Sequence, residues 1–304
     1  MRIPIDGLRI GHWTDAEART GCTVLLFPEG TVASGEVRGG APATREFDVL
    51  APERTVDRLD ALVLSGGSAF GLAAADGVMD HLAAAGVGFA TGGGPVPIVV
   101  GLSLYDLLEG DGSVRPGPDD GRAAAEAAVP TLEVAVPTGS VGAGTGATVG
   151  TWRGRNHARP GGLGVAVITH GTVTVAAVVA VNAAGDVGDP ATSAAVADGV
   201  FGGWPEPADL FAAPADSGSR GNTTIGAVVT DASLSKGECL LMAQSAHDGL
   251  ARAVFPPHMR ADGDAFVAAA TGSAGGGAEI EGSDLDVLRV LVVAAVERAV
   301  VRAC

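Results

Sequence analysis

The sequence predicts a layered α+β protein, on three observations. Short apolar runs bounded by Gly or Pro dominate the first third and recur in the middle, and long helical segments follow towards the end. The elements come as runs of strands and then helices rather than in strict alternation, and no fixed-period repeat runs through the 304 residues. Hydrophobic residues make up 47% of the chain but aromatics only 4%, so the core is built from Ala, Val and Leu, whose small side chains let layers approach closely.

Taken in order, residues 22–27 and 31–37 are the first predicted strands. An apolar run at 59–65 ends in Gly66-Gly67 and leads into a helix predicted over 69–85. Phe70, Leu72, Val78 and Leu82 are its candidate buried positions and Ser68 its candidate N-cap. Residues 96–107 are apolar after a Pro-rich start, 119–128 have the composition of a short helix, and 137–150 are rich in Gly. The runs at 162–170 and 172–181 form a hairpin around His170-Gly171. A loop at 186–190 precedes a polar, small-residue stretch out to Arg220, the best linker in the chain and one accessible to processing. Beyond it come a strand at 223–230, a helix at 233–254 opened by Ser233, and a strand at 266–270. A Gly-rich link at 272–277 leads to a C-terminal helix at 284–303, capped by Ser283 or Asp284.

Charge and composition exclude several functions. A formal charge of −16 with no basic cluster argues against nucleic acid and against anionic membrane surfaces as partners. The longest apolar run, at 287–301, is interrupted by Arg289, Glu297 and Arg298, so no membrane-spanning segment is expected. Met1-Arg2-Ile3-Pro4-Ile5-Asp6 lacks the apolar core of a secretory signal, and a cytoplasmic, soluble protein is the expectation. Cys22, Cys239 and Cys304 are too few and too far apart for a disulfide framework or a zinc site. His12, His81, His157, His170, His247 and His258 show no metal-ligand spacing, so no metal is expected, and no complete phosphate- or dinucleotide-binding glycine motif points to an organic cofactor.

Several short motifs carry possible chemistry. In Gly221-Asn222-Thr223-Thr224, a threonine at a loop-to-strand junction is placed to attack the carbonyl of Asn222 and cut its own chain. The cut would leave Thr223 with a free α-amine beside its hydroxyl, a nucleophile and a base in one residue. The same tetrapeptide also reads as a turn into a strand, since Asn tolerates left-handed geometry. Asp262-Gly263-Asp264 sets two carboxylates about a glycine, suited to orienting an amine or sharing a proton, and equally readable as a solvated turn. Tyr105, the one tyrosine, and Asn182, at the end of an apolar strand, are donor types that suit an oxyanion or a plain structural hydrogen bond. Gly142-Ala143-Gly144-Thr145-Gly146 lacks the third glycine and the Lys of phosphate-binding loops and reads as a close-packed turn. Gly66-Gly67-Ser68-Ala69-Phe70 fails as a nucleophile elbow because Phe70 stands where the tight backbone needs Gly.

Together these motifs resemble a family of self-processing N-terminal-nucleophile amidohydrolases: D-aminopeptidases, β-peptidyl aminopeptidases and the nylon-oligomer hydrolase. The likeness runs through Gly11-His12-Trp13-Thr14, Thr20-Gly21-Cys22-Thr23, Arg38-Gly39-Gly40-Ala41-Pro42 and the segment 64–72. It continues through 142–150, 221–225 and Asp262-Gly263-Asp264, covering nearly the whole chain. The resemblance implies a single domain over 1–304 with a four-layer αββα sandwich, assembled as a homotetramer. It implies cleavage between Asn222 and Thr223 into chains of 222 and 82 residues, with Thr223 as nucleophile. On the same likeness Asp262 and Asp264 orient or charge-balance the Thr223 amine, and Tyr105 and Asn182 line the oxyanion region. The Asn-Thr junction and the Asp-x-Asp pair look like the nylon-oligomer hydrolase, whereas β-peptidyl aminopeptidases use Ser and a Ser-x-Glu pair. Thr151 stands where the nylon hydrolase carries Lys, with Arg153 close by, which puts rate or substrate range in question. The implied activity is hydrolysis of a small peptide or amide, 6-aminohexanoate oligomers among the choices. The alternatives are an ornithine acetyltransferase-like acyl transferase on the same type of fold, and an unprocessed, non-catalytic protein.

Overall fold

Ile225, Ala227 and Val229 turn to one side of their strand and Gly226 and Val228 to the other, and all are buried. A strand covered on both faces reads as an unbroken apolar run, and such strands sit inside a sheet that other layers enclose. The computed structural model of the chain describes residues 1–197, 221–274 and 282–304.

The strands that build the fold are β1 (Arg9–Asp15), β2 (Thr20–Leu26), β3 (Val32–Val37), β4 (Ala43–Arg45), β5 (Ala61–Ser65) and β6 (Val99–Ser103). After them come β7 (Val129–Pro130), β8 (Gly162–His170), β9 (Val173–Val181), β10 (Ile225–Thr230) and β11 (Ala265–Ala270). The helices are α1 (Ala74–Ala84), α2 (Pro118–Glu126), α3 (Pro190–Ala197), α4 (Lys236–Ala253) and α5 (Gly282–Ala303). One sheet has the order β4-β6-β5-β2-β1-β7 and the other β8-β9-β10-β11-β3. Leu25, Leu62, Leu64 and Leu102 of the first meet Val165, Val178, Val229 and Val267 of the second in the central core. On its outer face the first sheet packs Val24, Val63 and Val99 against Ala74 and Val78 of α1 and Ala124 of α2. The second packs Val179, Val228 and Phe266 against Met242 and Leu250 of α4 and Val292 and Val296 of α5. The stack is therefore helices, sheet, sheet, helices: the αββα sandwich that the resemblance implied.

Small residues make the outer layers thin. A Cβ at Gly77 would lie 1.7 Å from the Pro118 carbonyl oxygen, and one at Gly121 would lie 1.9 Å from that of Ala74, so α1 and α2 cross with backbone on backbone.

The local expectations hold in type and shift at the ends. The hairpin is formed by β8 and β9 with Gly171 at φ 57° in its turn. The helix predicted from 69 begins as a 3-10 turn, Ser68–Ala73, before α1. Ser68 does not cap it: Gly67 holds the cap position, without a side-chain bond, and Ser68 itself has φ 55°. Phe70, expected in the core, is 59% exposed with the Arg115 guanidinium over its ring at 3.8 Å. The helix expected to open at Ser233 opens at Lys236, because Ser235 and Glu238 form a reciprocal capping box. The presumed linker begins as α3, and its remainder, 198–220, lies outside the described residues, as do most of the expected Gly-rich link and the Ser283 side chain.

The registers decide where chemistry can occur. Ala180 pairs with Ile225, Ile225 with Ala265 in parallel, and Ala265 with Val37. Continued outward by two residues, these ladders set Asn182, Thr223 and Gly263 side by side at one sheet edge. No helix among the described residues is long and apolar enough to cross a membrane.

Candidate active site

Thr223 sits where β10 begins, so its environment is made by the ends of the neighbouring strands. Its backbone N–H donates to the Asn182 carbonyl at 2.6 Å, one step beyond the end of β9. Its hydroxyl oxygen accepts the Gly263 N–H at 3.1 Å, and the hydroxyl also lies against the carbonyl oxygen of Asn222, the residue it follows. Thr223 is only 3% exposed and Asn222 5%, so this junction is no solvated turn. A Cβ at Gly263 would come within 2.9 Å of the Thr223 hydroxyl and 2.4 Å of the Ala41 carbonyl oxygen. Gly is therefore the residue that lets one backbone N–H reach the hydroxyl.

Asp262 and Asp264 flank that glycine and are buried, each 2% exposed, which overturns the reading of them as a solvated turn. They are held by backbone donors: Asp262 accepts the N–H groups of Met259 at 3.0 Å and Ala184 at 3.3 Å, and Asp264 accepts that of Thr224 at 2.7 Å. The Arg38-Gly39-Gly40-Ala41 motif lies alongside, with Arg38 N–H donating to the Asp264 carbonyl and Ala41 N–H to that of Asp262. Burial, and then the neighbouring Asp264 carboxylate, push the Asp262 carboxyl up to about 7.

This shift has a sign that can be checked. An unfolded Asp titrates near ~3.9, so above that value the folded chain keeps a proton that the unfolded chain has lost. The stabilisation is complete below the ordinary Asp range and is lost as pH rises through about 7. His12 and His247, lowered by burial to about 4 and about 3, act in the opposite sense, but only up to the ordinary histidine value near ~6.5. In a Thr223→Ala chain, the thermal stability of Asp262→Asn relative to its Asp262 parent is expected to shift in favour of Asn as pH rises from about 4 to about 7 and to level off above, whatever constant cost the amide pays for serving two N–H donors with one oxygen. A difference that stays constant over that window would put Asp262 in an ordinary environment.

Asn182 and Tyr105 are brought to the same place. The Asn182 side chain donates one N–H to the Tyr105 carbonyl at 2.9 Å and accepts the Thr148 N–H at 2.8 Å. The Tyr105 ring covers Gly221, where a Cβ would lie 2.4 Å from a ring carbon. The next residue, Asp106, is buried and pins the Gly66-Gly67 turn through the Gly67 N–H at 2.7 Å, while accepting the Thr20 hydroxyl at 2.7 Å. The Gly142 turn is close-packed as expected: its N–H groups at Gly142 and Ala143 dock on the Thr14 and Thr23 hydroxyls.

Two contacts had no sequence signal, although Thr151 itself stands out as the position where the resemblance expects Lys. The Thr151 hydroxyl donates to the Asn222 side-chain oxygen at 2.7 Å across 71 positions of chain, while the Asn222 Nδ2 is buried with no partner among the described residues. His258, for which metal-ligand spacing gave no role, places Nδ1 2.8 Å from the second oxygen of Asp264. The Arg153 side chain lies outside the described residues.

Residues 3–304 match the model of peptidase family S58. This chain is a member of peptidase family S58. The S58 chain is 44% identical over 288 residues to an uncharacterized aminopeptidase of Mycobacterium tuberculosis (strain ATCC 25618 / H37Rv), covering 88% of this chain and 80% of that protein. It is 31% identical over 280 residues to a 6-aminohexanoate-oligomer endohydrolase of Paenarthrobacter ureafaciens, covering 89% of this chain and 75% of the relative. Its fold matches that of a Burkholderia sp. beta-aminopeptidase with a TM-score of 0.73 at 24% identity, over 98% of this chain and 84% of the other. It also matches an L-aminopeptidase D-Ala-esterase/amidase of Ochrobactrum anthropi, described as a variant of the Ntn hydrolase fold, with a TM-score of 0.71 at 20% identity over 98% and 84%. At these identities the two likenesses speak for the fold, and the S58 chain has the α+β architecture of that fold.

Proposed function

We propose that this S58 member is a self-processing amide hydrolase with Thr223 as its nucleophile. The observation that carries the reading is the Thr223 hydroxyl, which in the uncut chain lies against the Asn222 carbonyl with the Gly263 N–H on its oxygen. Attack of Oγ1 on the Asn222 carbonyl carbon forms a C–O bond. The peptide C–N bond breaks, its nitrogen takes up a proton to become the Thr223 α-amine, and water hydrolyses the ester to leave a carboxylate on Asn222. The products are chains of 222 and 82 residues. In turnover the freed amine, with an ordinary value of roughly 8, accepts the proton of its own hydroxyl as Oγ1 attacks a substrate amide. The second N–H of Asn182 and the Tyr105 hydroxyl stabilise the oxyanion, the amine leaves with a proton, and water releases the acyl group. Asp262 and Asp264 orient the Thr223 amine and balance its charge.

The substrate on this reading is a small peptide or linear amide with a free amino end, whose cation the net charge of −16 attracts. Oligomers of 6-aminohexanoate belong in the test panel because one relative carries that activity in its name. A homotetramer in the cytoplasm goes with the reading, and sedimentation velocity checks the assembly.

Intact-mass measurement of purified protein after prolonged incubation is the direct test. Fragments meeting at Asn222 and Thr223 are expected, and a single uncut chain would overturn the proposal. The Thr151 contact gives a finer expectation. Thr151→Val removes the donor to Asn222 at nearly constant volume, so the cut should slow by up to about tenfold, the worth of one hydrogen bond. Pre-cut enzyme carrying the same change is expected to keep its turnover. Unchanged maturation of Thr151→Val, followed by mass spectrometry, would show the contact to be idle.

A further inference from the structure

The buried carboxylate of Asp264 is anchored on both oxygens. Oδ1 accepts the Thr224 N–H at 2.7 Å, and Oδ2 faces His258 Nδ1 at 2.8 Å. An ionised carboxylate only accepts, so Nδ1 is the donor. The other ring nitrogen of His258, Nε2, is buried and has no hydrogen-bond partner among the described residues. Among the described residues Asp264 is thus the one polar anchor of that imidazole. The ring is held at its side by His247, centroid to centroid at 5.0 Å and 66°, and His247 in turn stands edge-on to Phe266 at 5.0 Å. His247 Nε2 lies 3.0 Å from the Glu36 carbonyl oxygen, which fixes the orientation of this second ring. His258 also has φ 52°, a left-handed conformation that residues with a Cβ adopt rarely and at a cost. The packing and the backbone both hold the imidazole against one carboxylate oxygen.

We propose that His258 is a positioning residue for the reaction: donating from Nδ1, it locks Asp264 in the rotamer that grips the Thr224 N–H, and so sets the approach of the Thr223 hydroxyl to the carbonyl it attacks. The proposal rests on the reading of Thr223 as nucleophile. Without the His258 anchor the carboxylate is free to turn about its own bond, and Thr224, one peptide away from the reacting hydroxyl, loses its fixed point.

The left-handed backbone supplies clean variants. Glycine adopts this conformation freely, so His258→Gly removes the donor without backbone strain. Asparagine tolerates it too and carries an N–H close to the position of Nδ1. His258→Gly is expected to slow both self-cleavage and kcat by about tenfold to a hundredfold, with KM held within about twofold, as for a small misplacement of reacting groups. His258→Asn is expected to restore both rates to within about threefold of the parent, because the donor is back. His258→Asp, of the same shape as Asn, lacks the donor only where the two facing carboxyls are both ionised, so read at alkaline pH it should behave like His258→Gly, and it serves where His258→Gly shows no cooperative melt. Parent-like rates in His258→Gly or, at alkaline pH, in His258→Asp, or a His258→Asn chain as slow as either, would overturn the proposal. Thr223→Ala separates the two readings. If it still splits and turns over, the nucleophile is misassigned; if it is dead while His258→Gly is fully active, only the role of His258 falls.

Discussion

Thr223→Ala is expected to remain one chain of 304 residues under conditions in which the parent separates into two, and to lose amide hydrolysis by at least about 10⁴-fold. The reason is chemical rather than structural. The hydroxyl is the group lying against the Asn222 carbonyl. Removing it also leaves the Gly263 N–H without its acceptor in a buried setting, at a cost of about 1–3 kcal/mol. A loss of activity through unfolding is therefore separated from a loss of chemistry by Thr223→Ser, which keeps the oxygen. The serine chain is expected to split and to turn over, while the alanine chain melts cooperatively yet stays whole. Splitting of the alanine chain at the same bond, read by intact mass, would remove Thr223 from the mechanism.

Asp264→Asn is expected to have the next largest effect, slowing maturation by about a hundredfold or more. The carboxylate serves two buried donors, Thr224 N–H and His258 Nδ1. An amide has one acceptor oxygen. If that oxygen stays on Thr224, the new NH2 faces His258, whose ring must then move its proton to Nε2. Nε2 is buried and has no acceptor among the described residues. One donor is left unsatisfied in either arrangement, which costs about 1–3 kcal/mol of stability and loosens Thr224, the residue that follows Thr223. Urea unfolding in the Thr223→Ala background measures the first part, and the rate of splitting measures the second. Maturation of Asp264→Asn at the parent rate would exclude the carboxylate pair from the site.

How much of this was legible depends on how local each feature is. The hairpin of β8 and β9 was legible because two apolar runs flank His170-Gly171, and turn chemistry acts over a few residues. The start of α4 was legible too, in Ser235-x-x-Glu238, although Ser233 drew the expectation two residues early. Strand β1 was not foreseen, since Arg9–Asp15 mixes polar, aromatic and glycine residues and lies beside β2 only through its register. Phe70 illustrates the opposite error. An aromatic on a helical segment suggests a core, but the 3-10 turn directs it outward to Arg115.

By itself the sequence determined the strand and helix types, the small-residue composition that permits four thin layers, and the Asn222-Thr223 and Asp262-Gly263-Asp264 motifs. These follow from patterns within a few residues of one another. Only the tertiary structure decided what surrounds those motifs. The Gly263 N–H reaches Thr223 across 40 positions of chain, and the Thr151 hydroxyl reaches Asn222 across 71. The charge state of Asp262 and the grip of His258 on Asp264 follow from the same convergence. Burial and hydrogen bonding set the properties of a carboxylate, and both arise only where strand ends distant in sequence meet at one edge of a sheet.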